Sequence, residues 1–301
     1  MKKILNLMLL VFLAACNHAP TTQGVKIDGA QRPMDFEIID AHVHTNFDNK
    51  PEETSHIPYT LESFKQELRE AHVGKFVSLN TRDGRPHFDF KTAFANDPEF
   101  KNTKFIHCYG VSGKPNYKLI EEGIKSHDYS CIKIYLGYVH AYAYDPVYRP
   151  LYAIAEKYSV PVVFHTGDTY SKKGKLKFAD PLTIDEVAVD FPKVKFVIAH
   201  LGNPWVSSAA EVAYKNPNVF VDGSAFLIGK LSNYSEADLQ AYVIDPLRWA
   251  FGYMEDPHKL MFGSDWPLVS IKDTAEAFKK AIPREHWEKV FKTNAEAVFG
   301  L

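Results

Sequence analysis

Short runs of β-branched and aromatic residues recur along the chain, each followed by a longer stretch whose apolar positions return at intervals of three and four. The runs are Phe36–Val43, Lys75–Asn80, Lys104–Tyr109, Cys131–Leu136, Pro161–His165, Lys195–His200, Val219–Asp222 and Lys259–Ser264. The stretches between them, among them Leu61–His72, Tyr117–Ser126, Val147–Tyr158, Pro181–Asp190, Val206–Lys215 and Ala237–Tyr253, read as crossover helices. Strict alternation of this kind predicts an α/β fold with a parallel sheet, and eight units are the number that closes a (β/α)8 TIM barrel. A last helix near Arg284–Phe299 seals the fold. Asp145-Pro146, Asp180-Pro181 and Asn203-Pro204 are each expected to cap a helix, a side-chain oxygen preceding a proline suited to the first turn. The longest stretches without strand character, Thr45–Tyr59, Asp168–Phe178 and Phe226–Tyr234, follow strands one, five and seven and are expected to be loops over the mouth.

The first 33 residues break this pattern. Lys2 and Lys3 precede an apolar run from Ile4 to Ala15 that is too short to span a membrane and has the form of a secretory signal. The Leu13-Ala14-Ala15-Cys16 that ends it resembles the lipobox of bacterial lipoproteins. The expectation is a signal peptide over residues 1–15, an acylated Cys16, a flexible tether over residues 16–33 and one barrel domain over residues 34–301. That makes the protein an exported, lipid-anchored one on the periplasmic or cell-surface side of a membrane.

The 35 basic and 37 acidic residues give a formal charge of −2 without basic blocks, which argues against a nucleic-acid partner and for a small molecule. A barrel of this kind is compatible with a homodimer. Three cysteines are too few for a disulfide scaffold. Cys108 near the end of the third strand and Cys131 at the start of the fourth fall at opposite ends of a parallel pair, so no bridge is expected.

Thirteen histidines direct attention to metal or acid–base chemistry. The first strand ends Asp40-Ala41-His42-Val43-His44, and alternation puts His42 and His44 on one side. Strand five ends at His165, strand six at His200, and strand eight runs into Asp265. In a closed parallel barrel the carboxyl ends of the strands share one mouth, so these groups converge there. Several imidazoles with one carboxylate suit a divalent metal, zinc first, with manganese or iron as alternatives.

Taken in order, IIDAHVH at 38–44, DPVYRPLYAIAEKYSVPVVFHTG at 145–167, IAHLGNP at 198–204, FGSDWP at 262–267 and NAEAVFGL at 294–301 resemble the amidohydrolase superfamily. Within it the chain resembles the amidohydrolase-2 family, which includes aminocarboxymuconate semialdehyde decarboxylase. The resemblance implies that His42, His44, His165 and Asp265 are the metal ligands and that His200 is the adjacent base. It implies a metal-dependent hydrolase in which metal-activated water attacks an amide, ester or lactone, Asp265 carries the proton and His200 stabilises the developing oxyanion. Lys133, if it faces the barrel, either binds a substrate carboxylate or, carboxylated as in binuclear relatives, bridges a second metal. An ion-paired structural lysine is the plainer alternative, and the resemblance favours one metal.

Two other functions compete. A nonoxidative decarboxylase of a small carboxylic acid uses the same scaffold, although such enzymes often carry an acidic residue after the strand-six histidine, where this chain has Leu201-Gly202-Asn203. A noncatalytic surface-binding lipoprotein is the alternative from a different class. Nuclease branches of the superfamily would offer a glutamate near strand four, where Lys133 stands. Arg82, Arg85 and His87 after strand two are candidates for clamping an anion, Tyr138, His140, Tyr142 and Tyr144 for walling a pocket, and Asp40 for hydrogen-bonding a deeper layer, each against a plainer structural role that Asp222 at the end of strand seven shares.

Overall fold

A computed structural model describes residues 34–82 and 87–301. The signal segment, Cys16, the tether and Arg85 lie outside the described residues. Eight parallel strands follow one another in a sheet of order β1 to β8: β1 (Ile38–Val43), β2 (Val73–Arg82), β3 (Lys104–Val111), β4 (Cys131–Ile134), β5 (Val162–Phe164), β6 (Phe196–Ile198), β7 (Val219–Asp222) and β8 (Leu260–Met261). Helices α1 (Leu61–Glu70), α2 (Phe90–Ala95), α3 (Tyr117–Lys125), α4 (Arg149–Tyr158), α5 (Thr183–Asp190) and α6 (Val206–Lys215) connect β1 through β7 in turn. Helix α7 (Glu236–Leu239) runs through a π turn at Gln240–Ile244 into α8 (Asp245–Tyr253) before β8, and α9 (Ile271–Ala281) and α10 (Asn294–Phe299) follow it. The periodicity did not announce α2 or α9. No helix among the described residues is long and apolar enough to cross a membrane.

Local chemistry explains the helix starts, and it corrects the expected caps. Thr60, Asp89 and Asn116 cap α1, α2 and α3 by accepting from Ser63, Thr92 and Leu119 N–H at 3.1, 3.0 and 3.2 Å. Asp145, Asp180 and Asn203 do not cap helices. Each belongs to a turn ahead of its helix: Asp145 accepts from Tyr142 N–H, Asp180 from Leu182 N–H, and the Asn203 amide donates to the Phe226 carbonyl. Helices α4, α5 and α6 begin at Arg149, Thr183 and Val206, two or three residues beyond each proline.

Inside the barrel, Ile39, Ala41, Val77, Leu79, Val163, Val197, Ala199 and Met261 form one buried layer, into which α10 inserts Ala295, Val298 and Phe299 from below. This is the floor under the mouth. Cys108 and Cys131 belong to the same layer and form a disulfide, contrary to the sequence expectation. The reason is register: β3 continues to Val111, so Cys108 sits in mid-strand and pairs directly with Cys131, with Cα atoms 4.3 Å apart.

The barrel closes along an irregular seam between β1 and the segment after β8. Ala41 N–H donates to Phe262, Asp265 N–H to His42 and His44 N–H to Trp266, at 3.0, 2.8 and 2.7 Å. Asp40, fully buried, crosses this seam. It accepts from the N–H groups of His42 and Ser264 at 3.0 Å each and from the Ser264 hydroxyl at 2.6 Å. Burial, opposed by these hydrogen bonds, lifts its carboxyl to about 7.

Candidate functional site

Alternation alone does not aim the functional side chains; backbone irregularities complete the task. Ile39 and Ala41 fill the floor layer, and the β1–β2 register shifts between Asp40 and Val43, which lets His42 and His44 turn to the mouth. At the end of β6, Ala199 faces the floor, and His200 and Leu201 then adopt left-handed φ values of 61° and 46°. Asp265 is left-handed as well, at 68°. Such conformations cost free energy in residues that carry a Cβ, and here they coincide with the polar groups of the site.

The mouth opens into a cavity of about 610 Å³ lined by His42, His44, Lys133, His165, His200 and Asp265. All three expected mouth loops contribute to its wall, through Glu52, Asp168 and Phe226 among others. The first and second of these loops are tied together by a hydrogen bond between the Thr54 and Tyr170 hydroxyls. Of the aromatic series after β4, Tyr138 lines the cavity, whereas His140 and Tyr142 pack on Phe178. His87 stacks on His107 with ring centres 3.9 Å apart and is not part of the cavity wall. Trp266 is fully buried against Tyr59 and Phe64, while Pro267 reaches the cavity.

The hydrogen-bond network fixes which ring nitrogens carry protons. Asp222 is its hub. One of its oxygens accepts from His200 N–H at 3.1 Å, Ser224 N–H at 3.2 Å and the Ser224 hydroxyl at 2.5 Å, and the other takes His42 Nδ1–H at 3.0 Å. The Ser224 hydroxyl, having given its proton to Asp222, accepts from His200 Nδ1–H at 2.8 Å. His165 Nε2–H donates to the Asp168 carbonyl at 2.9 Å. The nitrogens left bare are His42 Nε2, His165 Nδ1 and His200 Nε2.

These bare atoms meet one another. His42 Nε2 lies 3.4 Å and His44 Nε2 3.0 Å from one Asp265 oxygen, and neither His42 Nε2 nor that oxygen has a hydrogen-bond partner among the described residues. His165 Nδ1 and His200 Nε2 face each other at 3.2 Å, two lone pairs in contact unless a cation or proton lies beside them. His42, His44 and Asp265 form a set with metal-ligand spacing; so do His42, His200 and Asp222, but there the Asp222 oxygens are already saturated by donors. His165 belongs to neither set and contacts His200 instead. Orphaned buried nitrogen and oxygen atoms of this kind are what a divalent cation satisfies, so the residues present fit such an ion.

The charges respond accordingly. Burial raises the Asp265 and Asp222 carboxyls, but the surrounding imidazoles outweigh it and hold both well below the usual carboxylate range. Burial pushes His200 down to about 3 and lowers His42 and His165, keeping all three neutral and able to act as ligands. Lys133, at 1% exposure, projects into the cavity without a hydrogen-bond partner among the described residues, and burial lowers its amine to about 8. Ser224 and Ser264 were missed in the sequence. Ser224 lies two residues after Asp222 and Ser264 directly precedes Asp265, spacings with no specific signal of their own.

Several solved structures share the fold. An uncharacterised TIM-barrel protein from Bordetella bronchiseptica superposes with a TM-score of 0.64 at 20% identity, covering 88% of this chain and 99% of that one. A probable 2-pyrone-4,6-dicarboxylic acid hydrolase from Acinetobacter baumannii, with citric acid bound, gives 0.58 at 16% identity, over 88% and 100%. A 5-carboxyvanillate decarboxylase from Novosphingobium aromaticivorans, with bound manganese and 3-methoxy-4-hydroxy-5-nitrobenzoic acid, gives 0.60 at 13% identity, over 89% and 98%. Among curated proteins, none matches the chain. The family model described as Amidohydrolase matches residues 106–301, a span that includes His165, His200, Asp222 and Asp265, and the chain therefore belongs to the amidohydrolase family.

Proposed function

We propose that the protein is a metal-dependent hydrolase that adds water across an amide, ester or lactone bond of a small molecule. One observation carries this reading: Asp265 turns one oxygen to the Nε2 atoms of His42 and His44, at 3.4 and 3.0 Å, while its other oxygen lies 3.9 Å from His200 Nδ1. In this reading His42, His44 and Asp265, with His165 as a fourth ligand, hold one divalent ion. When bound, such an ion lowers the pKa of water and polarises a carbonyl, and zinc or manganese would serve. The second Asp265 oxygen takes the proton of the attacking water and returns it to the leaving group. His200, held by Ser224, sits beside that proton path, and Asp222 fixes the His42 ring.

A nonoxidative decarboxylase is the second reading, supported by the unpartnered amine of Lys133 in the same cavity and by the decarboxylase among the structural neighbours. Zinc- and manganese-loaded protein should be screened against panels of lactones, esters, amides and aromatic acids, scoring water addition and carbon dioxide release separately. Hydrolysis that falls at least a hundredfold in kcat in Asp265→Asn, with KM little changed, supports the first reading. Carbon dioxide release without hydrolysis overturns it. We also infer export and lipid anchoring at Cys16; a disulfide in the barrel floor fits folding in an oxidising compartment, and labelled palmitate incorporation lost in Cys16→Ser tests this.

A further inference from the structure

Beside the mouth lies a second concavity, an open groove of about 590 Å³ that no step of the proposed reaction uses. It runs between the start of α6, the loop after β7 and the π turn that leads into α8, and its walls include Pro204, Val206, Leu227, Tyr242, Pro246 and Trp249. Asn203 and Phe226 line both this groove and the cavity of the mouth, so the two spaces share one wall. A long hydrogen bond, 3.4 Å from the Asn203 amide to the Phe226 carbonyl, joins the two residues of that wall. The loop after β7 also gives the cavity Ala225 and Ile228, so apolar surface continues from the mouth to the groove.

The chemistry of the groove selects its occupant. Tyr242 and Trp249 stand 59% and 46% exposed along it, and contiguous apolar surface left in water marks a place that a partner covers. Trp249 stacks on Tyr253 with ring centres 4.9 Å apart, which holds the indole in place as a wall. The charged residue of the groove, Asp245, is already paired: one of its oxygens accepts from the Gln240 amide and from the Arg248 guanidinium at 3.2 Å. Ser207 adds a hydroxyl and no charge. An uncharged apolar chain therefore suits the groove better than an ion does. We propose that the groove takes an unbranched apolar chain carried by the substrate, so that the enzyme acts on an ester, amide or lactone with a long alkyl or acyl arm and places the reacting carbonyl in the mouth. This inference rests on the metal-dependent hydrolase reading for its reacting centre. Binding of the chain is separable from that reading, because no wall residue of the groove belongs to the metal-holding or proton-carrying set.

The probes are p-nitrophenyl acetate and p-nitrophenyl octanoate, given to zinc-loaded protein. Each methylene drawn out of water strengthens binding, so even a half-open groove should favour the octanoate in kcat/KM by about tenfold or more. Trp249→Ala opens the groove and Ser207→Phe fills it. Both positions are exposed, so folding is not at stake, and each variant should cut the preference to about twofold while leaving acetate turnover unchanged. Calorimetry with octanamide and acetamide needs no turnover: octanamide should bind about tenfold tighter to the wild type, and both variants should erase the difference. Turnover of neither ester, with the octanamide contrast intact, refutes the hydrolase reading alone and supports the groove. A long-chain preference that survives both variants overturns the proposal. So does equal binding of octanamide and acetamide by the wild type. A dimer in sedimentation equilibrium that Trp249→Ala dissociates overturns it as well, by giving the groove to a second copy of the chain.

Discussion

In the metal-dependent reading, replacing Asp222 by Asn tests whether one carboxylate sets the tautomer in which His42 would ligate the ion. Three donors converge on one oxygen of Asp222, those of His200 N–H, Ser224 N–H and the Ser224 hydroxyl, and only His42 Nδ1–H reaches the other. An asparagine keeps its carbonyl where three donors point and must turn its NH2 toward His42. Nδ1 then has to accept, and the imidazole proton moves to Nε2, the atom facing Asp265 and His44. With the ligating tautomer restored, the variant still lacks the charge-assisted hydrogen bond from His42 Nδ1–H to the Asp222 carboxylate, worth about 1.5–3 kcal/mol. That range agrees with the 10- to 100-fold loss of affinity, about 1.4–2.7 kcal/mol, typical when a histidine ligand loses its carboxylate support. Folding should change little, because every donor retains an acceptor. The assay is competition for zinc against a chromophoric chelator, with nitrogen NMR of the histidine side chains reporting the His42 tautomer. Zinc affinity within twofold of wild type, in a variant shown to be folded, would refute the reasoning.

Three further outcomes are expected. Removing the floor disulfide by Cys108→Ala with Cys131→Ala, a bridge spanning 23 residues, should cost about 3 kcal/mol in the chain-entropy model, read from urea unfolding of oxidised wild type and the variant. Equal midpoints would refute this. Asp40→Ala leaves two N–H groups and a hydroxyl without their acceptor and should cost roughly 3–6 kcal/mol, whereas Asp40→Asn, which can accept from both N–H groups and donate to Ser264, should cost under about 1 kcal/mol. Equal losses in the two variants would reject the seam network. Finally, His200 and His107 titrate near 3 when folded and near 6.5 when unfolded, so the unfolded chain binds more protons in that window and stability falls as pH drops through it. Each contributes about 1.4 kcal/mol per pH unit, and His107→Phe, remote from the cavity, should reduce the measured proton uptake on unfolding of stripped protein at pH 5 by about one.

The alternation of strand and helix was legible because every strand lies in a parallel sheet covered by helices, so the β runs stand out as continuously apolar. His42 and His44 were legible for the same reason, as polar groups ending an apolar run. The disulfide was not. It depends on where β3 ends and how it is staggered against β4, and Gly110 and Val111 extend the strand past the point where the pattern fades. The caps were misread because Asp-Pro and Asn-Pro also begin turns, which the residues alone do not separate from helix starts. Left-handed backbone at His200, Leu201 and Asp265 was hidden because none is glycine; the N–H groups of His200 and Asp265 donate to the Asp222 carboxylate and the His42 carbonyl, which holds two of them there.

The seam has a consequence for biosynthesis. Asp40 and Ser264, which hold it closed, are 224 residues apart, and His42 and Asp265 flank them. A ribosome therefore delivers His42 and His44 long before Asp265, and a nascent chain interrupted ahead of the eighth repeat holds both imidazoles without the carboxylate that faces them. In the metal-dependent reading proposed above, cation uptake would therefore report that the first and last repeats have met, and fragments that end before the eighth repeat should lack it.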